Sequence, residues 1–145
     1  KTISYLKNSF KYCFKKSGGY PAMLKAFNLK KVHVYNKLND IIKLRSIRVQ
    51  HGSIKSICYI INNKCAYAPD VNKIFPKDLK YFKNLKYLVI DCLRYKAHPS
   101  HFNLENVLNL TKIINPKKTI LTNLNNEIDY SKIKKKTSKK YNSST

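Results

Sequence analysis

The sequence predicts an α/β fold, a layered α+β domain built on a mixed β-sheet. Three observations lead there. Alternating, β-branched segments separated by turn residues fill the chain from residue 31 to residue 68, the pattern of antiparallel strands. After residue 70 the pattern switches to strand, helix, strand in succession, which places parallel strands in one sheet with a helix on its face. The length, 145 residues, suits one compact domain with its own core.

Each element has a local reason. Ile3, Leu6, Phe10 and Phe14 recur at helical spacing and predict a helix over 3–14. SGGYP (17–21) breaks it, because Gly18 and Gly19 accept positive φ and Pro21 restarts the chain. AMLKAFN is a short helix candidate. KVHVY (31–35) and DIIKLRSIRVQ (40–50) alternate and read as strands. SIKSICYII (53–61) and KCAYA (64–68) flank Asn62-Asn63, a pair that tolerates positive φ and so predicts a hairpin. FPKDLKYFKNL (75–85) reads as a short helix with Pro76 near its start. KYLVIDCL (86–93) is a continuous apolar run, the kind buried on both faces of a sheet. Asn103 can cap a helix to Ile114 that turns Leu104, Val107, Leu108 and Ile114 to one side. Pro116 ends it, and KKTILT (117–122) is a further strand. From Ser131 the composition changes to SKIKKKTSKKYNSST, with six lysines and few apolar residues. The expected organisation is a domain over 1–130 and a disordered basic tail over 131–145.

The net charge is +23, which favours non-specific anionic partners such as nucleic acid. The cations are lysines apart from Arg45, Arg48 and Arg94. Lysine, asparagine, isoleucine and tyrosine all use A+T-rich codons, so codon bias offers a second source for the charge. A dedicated nucleic-acid surface more often uses arginine. No apolar run approaches the roughly 18 residues that span a bilayer, and the opening KTISYLKNSFKYCF lacks a signal peptide's apolar segment and cleavage site. The expectation is a soluble, cytoplasmic chain without a membrane span. Cys13, Cys58, Cys65 and Cys92 form no CxxC pair and match no zinc spacing, so free thiols are expected.

Polar residues gather where strands end. Gln50-His51-Gly52 ends one strand, Pro69-Asp70 another, Asp91 a third, and an asparagine cluster in LTNLNNEIDY the last. The loop after Asp91 reads RYKAHPSHFN. Three of the four histidines and two of the seven acids lie at these places, and αβ sheets collect function outside strand ends.

These residues carry a resemblance. YLVIDCLRYKAHPSHFNLENVLNL followed by KKTILTNLNNEIDY resembles the C-terminal half of metallo-β-lactamase-fold hydrolases, closest to the PhnP-like phosphodiesterase branch. VQHGSIKSICYII and AYAPDVNKIFPKDL are similar to the same family's later metal motifs. The similarity runs from roughly Gly18 to Tyr130. It implies a partial αββα fold and a centre of two zinc or manganese ions that activates water against phosphorus. It implies His51 and Asp70 as metal ligands, His101 as a general acid at the leaving group, and His98 as its support.

Two departures accompany the resemblance. The family's H-x-H-x-D-H signature is absent. Where relatives read T-H, Thr122 is followed by Asn123, so a ligand histidine is replaced by an amide. The expectation is therefore a degenerate C-terminal portion, inactive alone. One alternative is a composite hydrolase in which another chain brings the N-terminal half of the fold. A second is a non-enzymatic basic nucleic-acid-binding module. An uncovered sheet face would make the isolated chain prone to self-association.

Overall fold

The computed structural model describes residues 2–26, 28, 32–37, 40–129 and 131–133. The chain divides into two compact units, Lys1–Lys30 and Lys31–Thr145, where the sequence suggested one domain to residue 130. In the first unit, α1 (Thr2–Ser9) and α2 (Lys11–Phe14) replace the single helix expected over 3–14. Neither contains a buried residue. The helix expected over AMLKAFN is absent from residues 21–26. The amides of Met23 and Leu24 both donate to the Cys13 carbonyl, at 3.0 and 2.8 Å, and so are not available for the i−4 ladder of a helix.

The second unit is a six-stranded sheet in the order β1 (Val32–Lys37), β2 (Asp40–His51), β3 (Ile54–Ile61), β4 (Cys65–Ala68), β5 (Tyr87–Asp91), β6 (Lys118–Thr122). Strands β1 to β4 pair antiparallel; β4, β5 and β6 pair parallel. The β3–β4 hairpin turns at Asn62 and Asn63, with φ of 52° and 51°, the left-handed pair such a tight turn demands. The expected helix over 75–85 is a 3-10 helix at Pro76–Tyr81, and Asn84 at φ 55° turns the chain toward β5.

Between β5 and β6 runs α3 (Leu104–Ile114). The Asn103 side chain caps it by accepting from the Asn106 amide at 2.8 Å, and Asn115 ends it in the left-handed region. Leu104, Val107, Leu110, Thr111 and Ile114 are its buried residues, and Leu108 is half-buried. They join one core with Ile47, Val49, Cys58, Ile60, Ala66, Ala68, Phe82, Leu85, Leu88 and Ile90. The register places the strand residues of that set on one face of the sheet: Ile47 opposes Cys58, Ile60 opposes Ala66, Ala66 opposes Leu88.

The other face holds Ile57, Tyr59, Tyr67, Tyr87, Val89 and Ile120, and these are half-buried or exposed. So β5 is not buried on both faces, as its apolar run suggested; Tyr87 and Val89 stay accessible. Of the expected tail, Ser131–Ile133 is described, and Ile133 is buried in the core; residues 134–145 lie outside the described residues. Among the described residues no helix is long and apolar enough to cross a membrane.

Candidate metal centre

Strand direction decides what meets. Strand β2 is antiparallel to β3, and β3 to β4, so β2 runs the same way as β4, β5 and β6. The C-terminal ends of these four strands therefore lie along one edge of the sheet. His51 ends β2, Pro69-Asp70 follows β4, Asp91 ends β5, and Asn123 follows β6.

His51 is held by the turn beside it. Gly52 adopts φ +59°, and a Cβ there would stand 2.9 Å from the Ser100 Cβ. Only glycine allows this approach without displacement, because it tolerates positive φ and has no side chain. The Gly52 amide donates to the Asn72 Oδ1 at 3.2 Å, and the Asn72 Nδ2 donates to the Pro99 carbonyl at 2.7 Å. Asn72 thus ties the His51 turn to the His98–His101 loop. The Gln50 Nε2 donates to the Gly52 carbonyl at 2.6 Å and the Ile54 carbonyl at 3.0 Å. Across this junction the His51 Nδ1 lies 2.7 Å from the Ser100 carbonyl.

The side chain beneath the site is Asp91, which has no exposed surface. Its Oδ2 accepts from the Val71 amide at 3.2 Å and pairs with the His101 Nδ1 at 2.6 Å. Its Oδ1 accepts from the Asn123 Nδ2 at 3.3 Å. Burial pushes the Asp91 carboxyl above the usual carboxylate range, while the Val71 amide, His101 and Asn123 pull it back. A buried carboxylate needs such partners to remain tolerable.

The structure brings His51, Asp70 and His101 together: one ligating atom from each lies within 4.8 Å of the others. The rings of His51 and His101 meet edge to face at 4.7 Å between centroids. His98 stands next to them, 5.1 Å from the His101 ring. Its Nδ1 accepts from the Ser100 amide at 3.3 Å. Partial burial first, then the Arg94 cation, pull the His98 imidazole below the usual histidine range. Asp70 is exposed, and its backbone carbonyl accepts from the Ser56 hydroxyl.

The Asn123 amide nitrogen serves two oxygens, neither of them on the side chains of His51, Asp70 or His101. It donates to the Pro69 carbonyl at 2.5 Å as well as to Asp91, so it bridges the Asp70 segment and the buried carboxylate. Asn125 caps its own turn, accepting from the Glu127 amide at 3.2 Å.

Sequence reasoning noted Asp91 as a polar strand end but gave it no role, and passed over Asn72 and Ser100. Asp91 was detectable in principle: an acid closing a run as apolar as YLVI must be buried against partners. Asn72 left no such signal, because its partners are backbone atoms of a distant loop.

Neither a family profile nor a curated protein matches the chain. Solved structures do. A diphosphatase from the PhnP family is 23% identical with a TM-score of 0.76, over 93% of this chain and 48% of that one. The Bacillus subtilis metallo-β-lactamase-fold protein YhfI is 12% identical with a TM-score of 0.65, over 92% of this chain and 56% of that one. Human tRNase Z, short form, is 14% identical with a TM-score of 0.52, over 65% of this chain and 39% of that one. The chain thus spans about half the length of these structures. The sheet order, the helix between β5 and β6 and these likenesses together assign the chain a partial metallo-β-lactamase fold, with a PhnP-family diphosphatase among its fold relatives.

Proposed function

We propose that this chain is the C-terminal portion of a metal-dependent phosphodiester hydrolase of the PhnP-like kind, without activity on its own. The observation that carries this reading is the meeting of His51, Asp70 and His101 at one sheet edge, above a buried carboxylate that orients one of the imidazoles. The donor set fits zinc or manganese, since imidazole nitrogen and carboxylate oxygen both bind such ions. His51 and Asp70 would hold the metal. When bound, such an ion supplies a water acidic enough to serve as nucleophile near neutral pH.

In a completed fold, His101 would serve the leaving oxygen as proton donor, since Asp91 fixes its ring through Nδ1 and leaves Nε2 for the substrate. His98 would support it from the adjacent turn. Of the ligand places matched to the family, the chain fills two, with His51 and Asp70, and has Asn123 at a third, so the family's two-metal centre is incomplete here. That shortfall supports inactivity of the chain alone.

The open face of the sheet supports the second half of the reading. Tyr67, Tyr87 and Ile120 are each more than a third exposed on it, and the PhnP-family diphosphatase is about twice as long as the stretch matched here. A chain carrying H-x-H-x-D-H and the N-terminal half of the fold is the partner we propose for that face. The free state of all four cysteines accords with a reducing compartment, the cytoplasm.

The test is hydrolysis of bis(p-nitrophenyl) phosphate with zinc or manganese. The chain alone should give no turnover above buffer. Turnover should appear only with an added chain that carries the missing motif, and should vanish in His51→Ala. Metal-dependent turnover by the chain alone, lost in His51→Ala, would overturn the inactive reading.

A further inference from the structure

His51 and His101 share a property that the roles above do not require of both. Each has its Nδ1 engaged by an oxygen: His51 by the Ser100 carbonyl, His101 by Asp91. A carbonyl only accepts, so the His51 proton sits on Nδ1. Asp91 receives three groups on its two oxygens, two of them the amide donors of Val71 and Asn123, the pattern of a carboxylate that accepts throughout. The His101 proton therefore also sits on Nδ1. In both rings the free lone pair is on Nε2. Histidines that hold metal ions are fixed in this way, with the other ring nitrogen donating to a carboxylate or backbone carbonyl.

We infer that this chain by itself binds one divalent transition-metal ion, zinc by its donor chemistry, through His51, Asp70 and His101, with His101 as the third ligand. This rests on the metal-holding part of the proposed function and goes beyond it. Two imidazoles and one carboxylate, with a further position open, form a known zinc set. Two donors on one tetrahedral zinc ion stand about 3.3 Å apart, so three residues whose ligand atoms already lie within 4.8 Å of one another reach it by closing about 1.5 Å at most, a side-chain rotation. Asn123 contributes from outside the ligand set. By donating to Asp91 and to the Pro69 carbonyl, it steadies the carboxylate behind His101 and the segment that carries Asp70. The assignment also deepens the account of inactivity. His101 has one free nitrogen, and a nitrogen that holds the ion cannot deliver a proton.

Cobalt(II), a spectroscopic stand-in for zinc, tests this on the full chain through its visible absorption, with calorimetry of zinc binding beside it. Cys13→Ser with Cys65→Ser serves as the background, so that thiolate binding does not enter. One ion per chain is expected. His101→Ala should weaken binding by about 100-fold or more and change the cobalt spectrum. Asp91→Asn should weaken it by about 10–100-fold, as expected for loss of an orienting partner. His101→Gln keeps a polar side chain and, with circular dichroism, separates ligand loss from misfolding; it too should lose affinity while folded. Binding and spectrum unchanged in folded His101→Gln, yet lost in His51→Ala, would sink the third ligand and leave the proposed hydrolase ancestry standing. No ion bound by the unsubstituted chain would overturn the inference and leave the proposed function, which asks no activity of the chain alone, to its own test.

Discussion

Both faces of the sheet carry apolar side chains, and these meet different surroundings. On one, Val49, Cys58, Ile60, Ala66, Leu88 and Ile90 are at most 1% exposed. On the other, Tyr67, Tyr87 and Ile120 retain 37–43% of their surface. The difference teaches that an apolar strand pattern describes the surroundings a sheet is suited to. It does not guarantee that one chain supplies them. The covered face supplies buried apolar area to the unit, while the open face leaves apolar side chains exposed.

The largest expected effect is on the covered side. Phe82 is fully buried in the core, and Phe82→Ala should cost about 3–5 kcal/mol, read as a lowered urea midpoint. A loss under about 1 kcal/mol would break the comparison. At the sheet edge, Gly52→Ala combines a left-handed backbone with the Ser100 contact. A loss of about 1–3 kcal/mol is expected in the same assay.

Thiols sharpen the contrast further. Burial pushes Cys58 up to about 12 and Cys92 up to about 11. Both remain protonated in the fold while the unfolded thiols ionise near their ordinary value of about 8.5. Their contribution is complete below that value and is lost as pH rises toward 11 to 12, so the urea midpoint should fall above about pH 9. The fall should be shallower in Cys58→Ala. Cys65, on the open face, should react with a thiol reagent before Cys58. The smallest effect belongs to Ile120→Thr, within about 0.5 kcal/mol, accompanied by less self-association in sedimentation. A destabilisation equal to that of Phe82→Ala would mean that the open face is covered after all.

The strands were legible because alternation and β-branching act locally, and the β3–β4 turn because Asn62-Asn63 is its own signal. The helix expected over AMLKAFN failed because its amides bond to Cys13, a contact no periodicity reports. The burial of β5 was overstated for the reason the two faces illustrate. In the site, His51, Asp70, His98 and His101 could be named from strand ends and from a resemblance. Their cohesion could not. It depends on Asp91, Asn72 and the Ser100 carbonyl, whose partners lie 10 to 49 residues away.

Gly52 has one more consequence, for stiffness. The bare Gly52 lets the turn after His51 lie close against Ser100 in the loop carrying His98 and His101, and the His51 and Asn72 side chains bond the two segments together. A ligand that arrives at this edge then has little disorder to remove, and the entropy of arranging two separate segments has already been met during folding. A missing methyl group, more than any added side chain, determines how firmly the two imidazoles are presented together.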